Sequence, residues 1–386
     1  MSGKSENAVM ALIQYLTLIQ FEPGAVRLVG QECTRLNIAR PLIVTDKGVR
    51  GAGLLDRVTV HLKEGEPVYD GTQSNPTEAS VLEATALYKK HKCDGVIGLG
   101  GGSSIDLGKA VALAATHDGP LKSYAVIEGG IAKITAAMAP VIAIPTTAGT
   151  GSEVGRGAVI IMADGRKLTM ISPHMIPKVA ICDPELTYGL PPLLTAATGM
   201  DAIAHCIETF LSAAFNPPAD GIALDGLRRA WAHIERATKD GKDAEARLNM
   251  MSASMQGALA FQKGLGCVHS LSHSLGGVNP KLHHGTLNAM FLPAVIRFNA
   301  EAENVKRERK IERLAETMGL SGAQEVVPAF KAMNAKLGLP AGLRAMGVTE
   351  ELFPKIIQGA LADHTHKTNP REASAADYER MLRESL

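Results

Sequence analysis

Residues 95–110 read GVIGLGGGSSIDLGKA: a β-rich run, four glycines in five positions, two serines, then a helical stretch. Backbone amides in such a turn can approach a phosphate closely, and the following helix offers unpaired N–H groups at its positive end. Ser103 or Ser104 is placed to cap that helix. The run departs from G-x-G-x-x-G because Ser103 stands where the last glycine belongs, so a plain tight connection is the competing reading. Working outward, further β-rich runs fall at 41–46 (PLIVTD), 58–62 (VTVHL) and 141–145 (VIAIP), bounded by Gly, Pro or Asp. Continuous apolar runs of this length suit strands buried on both faces of a parallel sheet. Between them, residues 76–91 set Val81, Leu82, Ala84, Thr85 and Tyr88 near helical spacing. The β-α-β-α order predicts a doubly wound α/β domain.

The periods change along the chain. Residues 157–173 (GAVIIMADGRKLTMISP) hold two β runs around Asp164-Gly165, a hairpin signal. Residues 11–21 read as an edge strand, too short to span a bilayer, behind a polar stretch at 1–9 with Met10 as a possible second start. After Gly189-Leu190-Pro191-Pro192 clear strands give way to helical periods, as at Leu224, Leu227, Trp231 and Ile234, or Ile311, Leu314, Ala315 and Met318. These shifts predict an α/β domain over 10–188, which would carry the dinucleotide site, and an all-α domain over 189–386.

Composition narrows the function. The 386 residues carry 40 Lys+Arg against 39 Asp+Glu, a net charge of +1, which argues against nucleic acid or an anionic membrane as partner. Eight Phe, six Tyr and one Trp leave few platforms for stacking bases. Five scattered cysteines (Cys33, Cys93, Cys182, Cys206, Cys267) without a C-x-x-C pair read as free thiols, predicting a reducing, cytoplasmic setting.

Two groups of residues carry chemistry. Asp46 ends a predicted strand, where a carboxylate can accept bonds from ribose hydroxyls, although a turn residue before Lys47-Gly48 fits equally. The loop 145–153 (PTTAGTGSE) follows another buried strand and faces the same sheet edge, where ligands of doubly wound folds bind. In the second half, Asp201 and His205 lie four apart, as do His269 and His273, with His283-His284 following. Each pair shares a helix face. Any one of these could be a packed core residue, but Asp201, His205, His269 and one of His283 and His284 together suit a shared Fe(II) or Zn(II).

These motifs together resemble the iron-containing alcohol dehydrogenases (group III): GGGSSIDLGK (100–109), PTTAGTGSEV (145–154), GMDAIAHCIE (199–208), GCVHSLSHSLGG (266–277), HHG (283–285) and NPR (369–371). The likeness runs from about residue 12 to the end. The stretches 215–227, 249–277 and 363–378 carry a narrower likeness to its 4-hydroxybutyrate dehydrogenases. The resemblance implies a metal held by Asp201, His205, His269 and His284 in the cleft between the two domains, with His283 as the alternative last ligand. It implies NAD contacts at Asp46, Asn75, Gly101, Gly102, Ser103, Ser104, Asp106, Thr146, Thr147, Thr150 and Lys167, and an assembly of two or more copies.

The expected reaction is metal-assisted hydride transfer between NAD and a primary alcohol, 4-hydroxybutyrate first, with His273 relaying the proton or packing behind the ligands. Lys263, Arg156 and Lys367 are the cations available for a substrate carboxylate. The alternatives are a dehydrogenase of uncharged alcohols or diols (lactaldehyde or 1,3-propanediol type), a zinc enzyme like dehydroquinate synthase or glycerol dehydrogenase, and an NAD-sensing protein with a closed structural metal.

Overall fold

A computed structural model describes residues 13, 15 and 17–386. Eight strands occur among them: β1 (Leu18–Phe21), β2 (Pro41–Val44), β3 (Val68–Tyr69), β4 (Gly95–Gly100), β5 (Val141–Pro145), β6 (Gly157–Ile161), β7 (Lys167–Ile171) and β8 (Val179–Cys182). Six form a parallel sheet in the order β1-β8-β5-β4-β2-β3. Its first half also holds helices α1 (Val29–Arg35), α2 (Lys47–Gly51), α3 (Leu54–Thr59), α4 (Glu78–Lys90) and α5 (Gly102–Thr116).

The apolar runs are continuous because both faces of the sheet are covered. Leu42, Val44, Val96 and Val141 pack into one core with Leu107 and Val111 of α5. Their alternate neighbours Ile43, Ile97, Leu99, Ile142 and Ile144 pack into another with Val29, Leu55 and Val58. Burial on two sides removes the polar alternation of a half-exposed strand.

The expected strand at 58–62 is not formed. Leu55 and Val58 are three apart and buried on one face of α3, while Val60 is 73% exposed. The β-branched residues there obey a helical period, and β2 pairs instead with the two-residue β3. The expected edge strand is found at 18–21, while residues 1–12 lie outside the described ones. The hairpin is present: β6 and β7 pair antiparallel around Asp164-Gly165, off the main sheet, and Ile161 N donates to Pro76 O.

Beyond Cys182 the described chain is helical: α6 (Pro192–Leu211), α7 (Pro217–Lys239), α8 (Ala244–Leu259), α9 (Cys267–Val278), α10 (His284–Asn299), α11 (Glu303–Arg307), α12 (Lys310–Thr317), α13 (Val326–Lys336), α14 (Phe353–Ala362) and α15 (Ala375–Ser385). The helical period at 305–318 is broken at Arg309, whose φ of 49 separates α11 from α12. α6 runs through the middle of this half, almost wholly buried between α7, α8 and α10. A helix in that position carries catalytic groups out of water. Among the described residues no helix is long and apolar enough to cross a membrane.

Candidate metal and dinucleotide site

Asp201 and His205 stand one turn apart on α6, His269 and His273 one turn apart on α9, and His284 opens α10. The three helices bring four ligand atoms to one point. Nε2 of His205, His284 and His269 lies 3.4, 3.6 and 3.7 Å from Asp201 Oδ1. The Asp201, His205 and His269 ligand atoms all fall within 4.8 Å of one another. His283 caps α10 and makes no ion-pair contact with Asp201.

Two polar side chains support this cluster that the sequence reading did not single out. Glu208 Oε2 lies 2.5 Å from His269 Nδ1, and Glu208 Oε1 accepts the Val268 N–H. That bond fixes the His269 ring with Nε2 toward Asp201. Asn288 Nδ2 lies 2.7 Å from Asp201 Oδ1, 3.1 Å from His284 Nε2 and 3.3 Å from His269 Nε2. A third addition, Asp363, holds His273 through Oδ2, 3.0 Å from Nδ1. Glu208 follows His205 by three and Asn288 follows His284 by four, helix-face spacings that could have flagged both. Nothing in the sequence flagged Asp363.

The protonation states suit a cation. Burial works against ionising Asp201, yet His205, His284 and His269 hold its carboxyl well below the usual range. Burial pushes His205 down to about 4 and His284 well below its ordinary value. His269 differs: burial opposes its charge, but Glu208 and Asp201 bring it up to about 9, so a cation there would take the place of a proton. One carboxylate and three imidazoles converging on a buried point fit Fe(II) or Zn(II).

The dinucleotide side is built from backbone. Gly101 caps α5 with no side-chain bond, leaving the Gly102 and Ser103 amides without a partner among the described residues. The expected serine cap is absent because both hydroxyls are engaged elsewhere: Ser103 Oγ donates to Ser74 O and Ser104 Oγ to Asp46 Oδ2. Asp46 is thus a turn residue and more, capping α2 through Val49 N while facing the glycine turn. A side chain at Gly102 would meet Thr150 Oγ1 at 2.6 Å, so the turn packs directly on the Thr-rich loop. Thr146 is buried in that loop and Thr147 half-buried. The same loop reaches the metal helix: a side chain at Gly149 would meet Thr198 of α6 at 2.7 Å.

Lys167, the first residue of β7, donates to Asn75 Oδ1, and Asn75 Nδ2 donates to Pro280 O in the helical half. Burial lowers the Lys167 ammonium pKa, with Asp106, Asp363 and Asp201 opposing. Asp106 corrects an expectation. Its oxygens are taken by Ser152 Oγ at 2.5 Å and Val159 N at 2.9 Å, beneath the loop, so it braces β6 from inside and is not free for a nucleotide. Lys109 completes that brace, donating to Ser152 Oγ, Gly155 O and Gly157 O.

Of the cations named for a substrate carboxylate, Lys263 is ruled out by its surroundings. It is 2% exposed, and its ammonium pairs with Asp220 and donates to Phe210 O. With Lys310, which donates to Phe210 O and Ser212 O, it neutralises the C-terminal carbonyls of α6. Arg156 is exposed and lines a groove with Tyr15, Pro173, Ile176 and Phe261. Lys367 is exposed.

Residues 17–184 match the profile of the family described as iron-containing alcohol dehydrogenase, and residues 195–386 that of its C-terminal part. The chain is 62% identical over 382 residues to a 4-hydroxybutyrate dehydrogenase of Cupriavidus necator, covering 98% of this chain and 100% of that protein. It is 37% identical to a 1,3-propanediol dehydrogenase of Citrobacter freundii, covering 95% of this chain and 96% of that protein. The crystal structure of a 1,3-propanediol oxidoreductase superposes with a TM-score of 0.91 at 35% identity, over 97% of this chain and 100% of that one. A sulfoacetaldehyde reductase from Bifidobacterium kashiwanohense in complex with NAD+ superposes with a TM-score of 0.88 at 26% identity, over 98% and 99% of the two chains.

Proposed function

We propose, since this chain belongs to the iron-containing alcohol dehydrogenases, that it oxidises the primary alcohol of 4-hydroxybutyrate to succinate semialdehyde with NAD, using iron. The observation that carries this is Asp201 Oδ1 with three imidazole nitrogens within 3.7 Å, reached through one loop from the glycine turn. When bound, the cation polarises the substrate oxygen and the nicotinamide takes the hydride. The protein's own groups supply the rest. Asp201, His205, His269 and His284 hold the cation, and Glu208 fixes the His269 ring. The open amides of Gly102 and Ser103 suit the pyrophosphate, with Asp46, Asn75, Thr146, Thr147, Thr150 and Lys167 around the same cleft. His273, held at Nδ1 by Asp363, takes the hydroxyl proton toward solvent.

A cytoplasmic, reducing setting belongs to the same proposal, supported by five free buried thiols. Assembly into a dimer or larger oligomer also belongs to it. Leu18 of the edge strand β1 is exposed, as are Ile13 and Tyr15 before it, and sedimentation measures the outcome.

The test is purification without oxygen, measurement of bound metal, and comparison of NADH formation from 4-hydroxybutyrate, 1-butanol and 1,3-propanediol. About one iron per chain and the highest kcat/KM for 4-hydroxybutyrate are expected. A preference for the uncharged alcohols would replace the substrate, and no NADH with any of them would remove the enzyme reading.

A further inference from the structure

We propose that His364 binds the carboxylate end of the substrate and so sets the preference for a hydroxy acid over a neutral alcohol, an inference that rests on the function proposed above. Three imidazole rings form a column leading away from the metal cluster. The ligand His284 stacks on His273 at 5.4 Å and 14°, and His273 on His364 at 6.1 Å and 19°. Their side chains are 31, 19 and 34% exposed, far more open than His205 and His269 at 4 and 2%. The column is therefore a run of partly exposed rings that starts at the ligand cluster and ends at His364.

The substrate has the length to run along this column. The three bonds from C4 to C1 of a four-carbon acid span about 3.8 Å, like those between consecutive Cα atoms of one strand of chain. A C–O bond at each end and a hydrogen bond of about 2.8 Å then carry it past His273 to the next ring. A hydroxyl at the His284 end puts the carboxylate beside His364.

The outer ring offers an open polar position there, with burial lowering the His364 pKa and Asp363 opposing. His364 Nδ1 faces Asp363 Oδ1 at 3.6 Å, and Nε2 has no partner among the described residues. Asp363 itself is occupied: Oδ2 by His273, Oδ1 by the Thr365 N–H and hydroxyl. A second carboxylate facing Nε2 would accept a hydrogen bond from that ring nitrogen, with Asp363 close to the other one. Lys167 of β7 interacts electrostatically with Asp363. The other cations of this segment are turned away or outward. His366 bonds Tyr378, and Lys367 is exposed.

Steady-state kinetics on the iron-loaded enzyme with 4-hydroxybutyrate and 1-butanol, together with calorimetric binding of butyrate to the NAD-saturated protein, test this. His364→Phe keeps the stacked ring and removes the donor. It should raise the 4-hydroxybutyrate KM about 10- to 100-fold, as expected for a lost hydrogen bond to a charged group. Its kcat should stay close to wild type, the KM for 1-butanol should move far less, and butyrate binding should weaken by the same factor. His364→Arg should retain the acid preference, and Arg156→Gln should disturb neither substrate. Equal losses on both substrates, an unchanged preference in His364→Phe, or a selective loss in Arg156→Gln instead would overturn the inference. Should His364→Phe fail to fold, loss of the preference in a folded His364→Arg would overturn it equally. If the wild-type enzyme shows no preference for 4-hydroxybutyrate, it is the substrate proposal that falls.

Discussion

In the helical half the proposed ligand atoms belong to side chains: Asp201, His205 and His269 are each at most 3% exposed, with Glu208 holding His269 and Asn288 holding Asp201. In the α/β half the proposed dinucleotide surface is backbone, made available because Gly101 and Gly102 have no side chains and Ser103 and Ser104 turn theirs aside. Ligating side chains must be charged or polar, buried and rigid, which costs desolvation unless a cation compensates. Amides at a helix start need only room. The first kind of site therefore fails when one atom is removed, and the second when one is added.

Deletion on the metal side should have the largest effect. Asp201→Ala leaves three imidazoles without their shared anion, and kcat/KM should fall about a thousand-fold or more, with bound iron lost and helical content unchanged by circular dichroism. Retained iron would mean that the four groups are not the ligands.

The α/β half has its own buried carboxyl, only partly offset by Lys109. Burial pushes the Glu153 carboxyl from 4.5 up to about 7, with Lys109 opposing. A carboxyl raised in this way adds stability below its unfolded value, and the contribution is lost as pH rises through 7. Glu153→Gln should accordingly stabilise the protein by up to about 3 kcal/mol at pH 8. The gain should vanish toward pH 4.5, as read by chemical denaturation at each pH. A constant gain at both pH values would show that ionisation is not its cause.

The supports of the metal site rank next. Glu208→Gln and Asn288→Leu should each weaken metal affinity about 10- to 100-fold by competition with a chelator, leaving NAD binding near wild type. Addition on the dinucleotide side should do the reverse: Gly102→Val, driven against Thr150, should weaken NAD binding by roughly tenfold while iron content stays full. Should Gly102→Val also empty the metal site, the two regions would not be separable. The smallest change in specificity is expected from Lys263→Met. It should lower the Tm, because it strips the carbonyl end of α6, but shift the ratio of KM values for 4-hydroxybutyrate and 1-butanol less than about twofold.

The same contrast explains what could be read from the sequence. Strands β2, β4 and β5 were visible because burial on both faces leaves uninterrupted apolar runs. The candidate ligand pairs were visible because residues three or four apart share a helix face. Val58–Leu62 misled because β-branched residues can serve a helical core when three-residue spacing buries them. Lys263 misled because proximity in sequence to His269 says nothing about direction, and its ammonium turns toward the end of α6. Asp363 was invisible because it reaches His273 from 90 residues away.

Anomalous diffraction at the iron edge, on crystals grown anaerobically with NAD, tests the central claim most directly. One peak per chain is expected at bonding distance, about 2.0–2.2 Å, from Asp201 Oδ1 and Nε2 of His205, His269 and His284, with the nicotinamide ring beside it. An ion bound elsewhere, or a nicotinamide remote from it, would contradict the account.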